Sequence, residues 1–307
     1  MTHNQRTGDI ITDILQRANP RAPSLIISVL GDSIAPHGGS FWIGSLIDLM
    51  APLGLNARLV RTAIFRLAKE DWLAATPVGR RSYYRLTPSG TRRFEAAFHR
   101  VYEESPEAWD GTWVLVIVDS ASLGPEERER VRQEMAWMSF GMAAPYVFAH
   151  TAMRGSDLSV KLSELGISKH AVTMTARLDN ANTDGAANFV RRCWDLDTLG
   201  ASYRRFLGMF SPLWQAVQSE TPSPEQAFAA RTLLMHEFRR ITLRDPQLPA
   251  ALLSPEWEGS AARKLACDLY RVLSEPTERH LKSCVETADG PLPDALAAYF
   301  ERFGGLR

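Results

Sequence analysis

Hydrophobic positions along the first hundred residues fall into short helical stripes, and two strand-like runs follow them. Ile10, Ile11, Ile14 and Leu15 predict a short amphipathic helix within residues 9–17 that ends at Asn19-Pro20. Pro23 and Ser24 open a second helix, whose apolar run from Leu25 to Leu30 stops at Gly31. A polar loop with Pro36, Gly38 and Gly39 leads to Ser40, read as the N-cap of a third helix that Pro52 and Gly54 close. Asn56 caps a fourth, from Ala57 to Lys69. At about 100° per residue, Val60, Ala63, Ile64 and Leu67 of this helix share one stripe. Arg58, Arg61, Thr62, Phe65 and Lys69 share the opposite stripe, with Arg66 at its edge.

Two short strands come next, Trp72 to Val78 and Ser82 to Leu86, around a turn made of Gly79, Arg80 and Arg81. Thr87-Pro88 then supplies a cap and first position for a helix toward Tyr102. A helix pair joined by a Gly-containing turn and followed by a hairpin predicts a winged helix-turn-helix over residues 1–104. Such a unit needs a reading helix that is apolar behind and basic in front, and a basic hairpin tip beside the phosphate backbone. Both are present. The reading assigns Arg58, Arg61, Thr62 and Arg66 to base edges. It assigns Arg80 and Arg81 to the backbone, stiffened by Tyr83 and Tyr84.

After an acidic, proline-containing junction at residues 103–108, the pattern changes. Strands at 112–118, 146–149 and 171–176 alternate with helices at 125–138 and 158–165, which predicts a ferredoxin-like α+β domain over residues 105–183. A polar break at 179–185 separates it from a part with helical periodicity and almost no strand signal. That third part, residues 184–307, is expected to be a helical C-terminal domain. The expected fold class is therefore α+β and multidomain.

Charge sharpens the picture. Across 307 residues, 35 basic groups balance 35 acidic ones, but the first hundred carry 13 basic against seven acidic. Residues 56–93 alone hold nine basic groups and two acids, which points to an anionic partner met by that part only. An apolar content of 45% excludes a disordered chain, and no apolar run is long enough to span a bilayer. The N-terminus lacks a signal-peptide pattern, and Cys193, Cys267 and Cys284 have no metal-ligand spacing. A cytoplasmic protein without membrane contact is expected. No GxSxG, P-loop or GxGxxG motif occurs, and no two histidines stand three or four residues apart, so neither cofactor nor metal is expected.

Three segments carry a family resemblance: RRSYYRLTPSG (Arg80 to Gly90), WDGTWVLVIVD (Trp109 to Asp119) and ARTLLMHEFRRITLRDPQLPAALLSPEW (Ala230 to Trp257). They resemble the PaaX family of bacterial transcriptional repressors of phenylacetate catabolism. The resemblance implies a homodimer on double-stranded operator DNA, released by an acyl-CoA effector such as phenylacetyl-CoA, and not an enzyme. An acyl-CoA needs an apolar cleft rimmed by arginines. Arg231, His236, Arg239 and Arg240 are the residues expected to meet it. The middle segment is also similar to small CRISPR-associated proteins in which an Asp after the first strand serves a metal-dependent nuclease. Asp119 holds that position, and a nuclease is the alternative reading.

Overall fold

The computed structural model describes residues 5–103, 109–151, 155–177 and 183–306; the expected junction at 103–108 and polar break at 179–185 lie largely outside them. The chain forms two compact units. Met1–Glu103 joins Tyr203–Leu243 and Gly259–Arg307 in the first, and Glu104–Ser202 joins Arg244–Glu258 in the second. The mixed α+β, multidomain class read from the sequence is what the structure has, and each of its two units draws on more than one of the expected segments. Helices near the C-terminus complete the core of the N-terminal part.

The first unit opens with α1 (Gln5–Ala18) and α2 (Ala22–Val29). Gly31 does not end the second helix, because the chain continues through a wider π-helical turn, Leu30–Ile34, which carries Asp32 and Ser33 inward. Ser40–Trp42 is a strand, β1, and not the start of a helix. Its pairing with a later strand and the burial of Phe41 decide this, and three residues are too few to show a strand period. Helix α3 (Ile43–Met50) follows, with Trp42 at its N-cap position. Gly54 closes the next turn at φ +78°, a conformation that a side chain would strain. In α4 (Ala57–Lys69), the Asn56 side chain accepts from Leu59 N–H at 3.0 Å, and Val60, Ala63, Ile64 and Leu67 are buried.

The hairpin β2 (Leu73–Val78) and β3 (Arg81–Leu86) turns over Gly79-Arg80, where Gly79 has φ +60°, as the first position of a tight two-residue loop favours. The sheet order is β1-β3-β2, antiparallel throughout, with Phe41 opposite Tyr84 and Trp42 opposite Tyr83. Thr87 caps α5 (Pro88–Tyr102) by accepting from Gly90 N–H at 2.9 Å. A Cβ on Gly90 would lie 2.3 Å from the Trp72 carbonyl oxygen, so glycine permits the close seat of this helix.

The second unit contains β4 (Thr112–Val118), α6 (Pro125–Trp137), β5 (Gly141–Ala144), β6 (Val147–His150), α7 (Gly155–Glu164), β7 (Ala171–Arg177) and α8 (Thr183–Cys193). The antiparallel sheet order β5-β6-β4-β7 is that of the ferredoxin-like fold. One core gathers Val116, Val118, Val131, Met135, Phe148, Leu158 and Leu162. A second, on the other face, sets Trp113 edge-to-face with Trp109 and Phe189, stacks it on Trp194 and includes Leu248. The short β5 was not expected from the sequence.

Helix α9 (Leu196–Val217) carries the chain back to the first unit, followed by α10 (Pro224–Thr242) and α11 (Glu258–Cys284). A small hairpin, β8 (Glu286–Thr287) and β9 (Gly290–Pro291), then breaks a tail expected to be helical, and α12 is only Ala297–Phe300. Fourteen of the 19 residues of α10 are buried, and α1, α2 and α5 pack against it. A helix enclosed on all sides needs cover from both ends of the chain.

Candidate nucleic-acid interface

The outward face of α4 is built by subtraction. Its apolar stripe is consumed by packing on α2, α3 and β2, which leaves Arg58, Arg61, Thr62, Phe65, Arg66 and Lys69 exposed. Arg58 and Arg61 have no protein partner among the described residues. Thr62 donates its hydroxyl to the Arg58 carbonyl at 2.9 Å. Arg66 is engaged instead: its Nε donates to Glu70 at 2.7 Å, and that contact raises the guanidinium pKa above its ordinary value.

The hairpin separates its two arginines. Arg80 stands at the tip, exposed and without a protein partner among the described residues. Arg81 donates to both Glu286 carboxylate oxygens, at 2.6 and 2.8 Å, and its guanidinium lies 4.5 Å from the Trp42 ring centroid. Tyr83 is buried and donates to the same Glu286 at 3.0 Å, while Tyr84 stacks on Phe41. Arg85 reaches Asp289 at 3.3 Å. The β8–β9 hairpin therefore neutralises one side of β3. No sequence signal marks that pairing, since its partners are some two hundred residues apart.

The four residues expected to meet an effector do not share a surface. Arg231 is buried, and its Nε lies 3.1 Å from Asp32. It also donates to Glu278 at 3.2 Å, to the Tyr299 hydroxyl at 2.8 Å and to Ser33 at 3.3 Å. Asp32 accepts in turn from Tyr102 at 2.7 Å, Tyr270 at 2.9 Å and Arg302 at 3.1 Å. Burial beside that carboxylate pushes both tyrosines well above the ordinary phenol range, so they stay donors. Burial works against Glu278, but hydrogen bonding from His37 and the Arg231 charge still hold it down at about 2.

His236 is buried with Nδ1 2.9 Å from the Ser28 hydroxyl, and burial together with Arg239 and Arg240 pushes it down to about 3. Arg239 donates to Ser28 and to the Ser24 carbonyl, both at 2.7 Å, and burial lowers it to about 10. Only Arg240 has a substantially open side chain, 46% exposed and paired with Glu237 at 2.9 Å. Three of the four residues expected to meet an effector are thus engaged inside the fold. Arg231, His236 and Arg239 face inward because α10 is sheathed by the N-terminal helices, and they bind the α2 segment to the C-terminal helices.

Asp119 accepts from Ala121 N–H at 3.2 Å and from the Ser122 hydroxyl at 2.5 Å, the work of a residue that starts a turn. Among the described residues no cluster of three or more His, Cys, Asp or Glu is placed to hold a metal. Nothing in this geometry favours the nuclease alternative.

The class these features outline is a two-unit α+β protein with one basic helix face and a ferredoxin-like second unit. Comparison with known proteins gives the family. The PaaX-like protein family matches residues 21–90, its central Cas2-like domain residues 106–187, and its C-terminal domain residues 194–283. The transcriptional repressor PaaX of Escherichia coli K12 is 36% identical over 286 residues, 92% of this chain and 90% of that one. A solved structure, the uncharacterized protein Rv0674 from Mycobacterium tuberculosis, shares the fold with a TM-score of 0.58 at 24% identity, over 84% of this chain and 97% of that one. The chain belongs to the PaaX family.

Proposed function

We propose that this chain is a sequence-specific, DNA-binding transcriptional repressor of an aromatic-acid degradation operon, that of phenylacetate. In this reading α3 and α4 form a helix-turn-helix, β2 and β3 its wing, and residues 1–104 the DNA-binding domain. One observation carries it: α4 is buried along one stripe and offers Arg58, Arg61 and Thr62 on the other, with no protein partner for either arginine among the described residues. That is the division a helix in the major groove requires. The name of the E. coli relative, a transcriptional repressor, supports it.

The active species in this reading is a cytoplasmic homodimer, because one reading helix spans too few base pairs to select a genomic site. No helix among the described residues is long and apolar enough to cross a membrane. Residues 105–183 serve as a scaffold, and residues 184–307 receive a phenylacetyl-CoA-like effector. Release from DNA then requires that the acyl-CoA favour one dimer geometry over another. With Arg231, His236 and Arg239 committed internally, Arg240 is the member of the expected set open to a ligand.

The test is fluorescence anisotropy with a duplex from the promoter of a phenylacetate-degradation operon, against an unrelated duplex, with and without phenylacetyl-CoA. The expected outcome is salt-dependent binding of the promoter that the acyl-CoA reverses and that the Arg58→Ala/Arg61→Ala variant loses. Wild-type affinity in that variant at physiological salt would place the interface elsewhere.

A further inference from the structure

The outward stripe of α4 contains a residue that phosphate binding does not explain. Phe65 is 72% exposed, and among the described residues its ring makes no contact with another aromatic side chain. It is one turn beyond Arg61 and Thr62, two beyond Arg58 and one before Lys69, so its ring is flanked along the helix by cations and a hydroxyl. Packing does not require it, since the opposite stripe already holds Val60, Ala63, Ile64 and Leu67 in the core. An exposed phenyl ring offers apolar surface that a phosphate does not match.

The major groove offers one apolar feature on the base edges, the C5-methyl group of thymine. Arginines beside the ring bring an anionic helix to this face and leave the ring over the floor of the groove. We infer that Phe65 is a specificity-determining residue that packs on a thymine C5-methyl in each half-site. This rests on the reading of α4 as the base-reading helix, and it adds a base identity to it. Leu59, also exposed, lies about 120° round the helix from Phe65 and is not part of the same contact.

The experiment begins with duplexes selected by the full-length wild-type chain from a random-sequence pool. Each thymine of the selected site is then replaced singly by uracil, which removes only the methyl group. Wild-type binding should fall about fourfold at one position per half-site, the value of one buried methyl group, about 0.8 kcal/mol. Substituting both half-sites should cost about fifteenfold. Phe65→Ala, at an exposed position where folding is unaffected, should bind the thymine duplex as weakly as wild type binds the uracil one and should no longer distinguish the two. Phe65→Leu should retain part of the discrimination.

Two outcomes would overturn the inference while leaving the α4 reading intact. One is selection of a defined site with no thymine sensitive to methyl removal. The other is undiminished discrimination by Phe65→Ala. If the wild-type chain selects no duplex at all, the α4 reading itself fails and the inference with it.

Discussion

Helices α4 and α10 each carry three arginines, all three exposed on α4 but only Arg240 substantially open on α10. On α4, Arg58, Arg61 and Arg66 stand in solvent above a buried apolar stripe. On α10, Arg231 is wholly enclosed and Arg239 nearly so, each tied to polar groups of the α2 segment and the turn after it. The residue type is the same; what differs is whether the helix keeps a wet side. A helix with one dry stripe presents its arginines to a ligand. A helix dry all round can keep them only by supplying internal carboxylates and hydroxyls, and those partners turn them into struts.

The contrast breaks most visibly at Arg231. Arg231→Met should destabilise the fold by about 3–5 kcal/mol in urea unfolding, because Asp32 and Glu278 lose their shared cation while remaining buried or nearly so. Arg61→Ala should change the same midpoint by no more than about 0.5 kcal/mol. Equal losses from the two substitutions would erase the distinction between strut and ligand.

On DNA the ranking should invert. Arg61→Ala should cost about 1–3 kcal/mol of operator affinity and relax selectivity at one position per half-site. Competition binding against single-base variants of the operator measures both. Loss of affinity with unchanged selectivity would move Arg61 from a base edge to a phosphate.

Much of α4 was legible in the sequence because three local signals agree there: the Asn56 cap, the 3.6-residue stripe and the Gly54 turn. The ferredoxin-like unit was legible for the same reason, from the uninterrupted Thr112–Val118 run and its helices. In α10 the signals disagree. Arg231, His236 and Glu237 are polar positions spread round the helix, yet all three are buried, and the sites that receive them come from segments far away in sequence. Asp32 is a clear case: it points inward because a π-helical turn replaces the helix end expected at Gly31. Strand β1 and the β8–β9 hairpin were missed because two or three residues show no period, and only their partners define them.

Acid should weaken the α2–α10 seam. His236 is depressed to about 3 in the fold from an ordinary value of 6.5, so the unfolded chain takes up a proton that the folded one refuses. Its contribution is complete above about pH 6.5 and is lost steadily as pH falls toward about 3, on the order of 2 kcal/mol between pH 7 and 5. Glu278, held at about 2 against an ordinary 4.5, adds a further loss only below about pH 4.5. Urea midpoints for wild type and His236→Gln should converge as pH drops from 7 to 5. Parallel curves would show that the loss arises at other groups.

The smallest expected effect separates the two arginines of the hairpin and carries the comparison into the interface itself. Among the described residues Arg80 has no protein partner, while Arg81 is bound to Glu286 and lies over Trp42, so the hairpin contains both kinds of arginine side by side. A phosphate contact releases counterions, and its removal lowers the slope of log affinity against log salt by about 1. Arg80→Ala should do so once per protomer and to the same extent on operator and unrelated DNA. Arg81→Ala should leave the slope unchanged, since Glu286 already neutralises that charge. Glu286→Gln, which keeps the side-chain shape and removes the charge, should raise the slope by releasing Arg81 to the backbone. If Arg81→Ala lowered the slope as much as Arg80→Ala, the Glu286 pair would have to open on DNA, and a strut in the free protein would become a ligand in the complex.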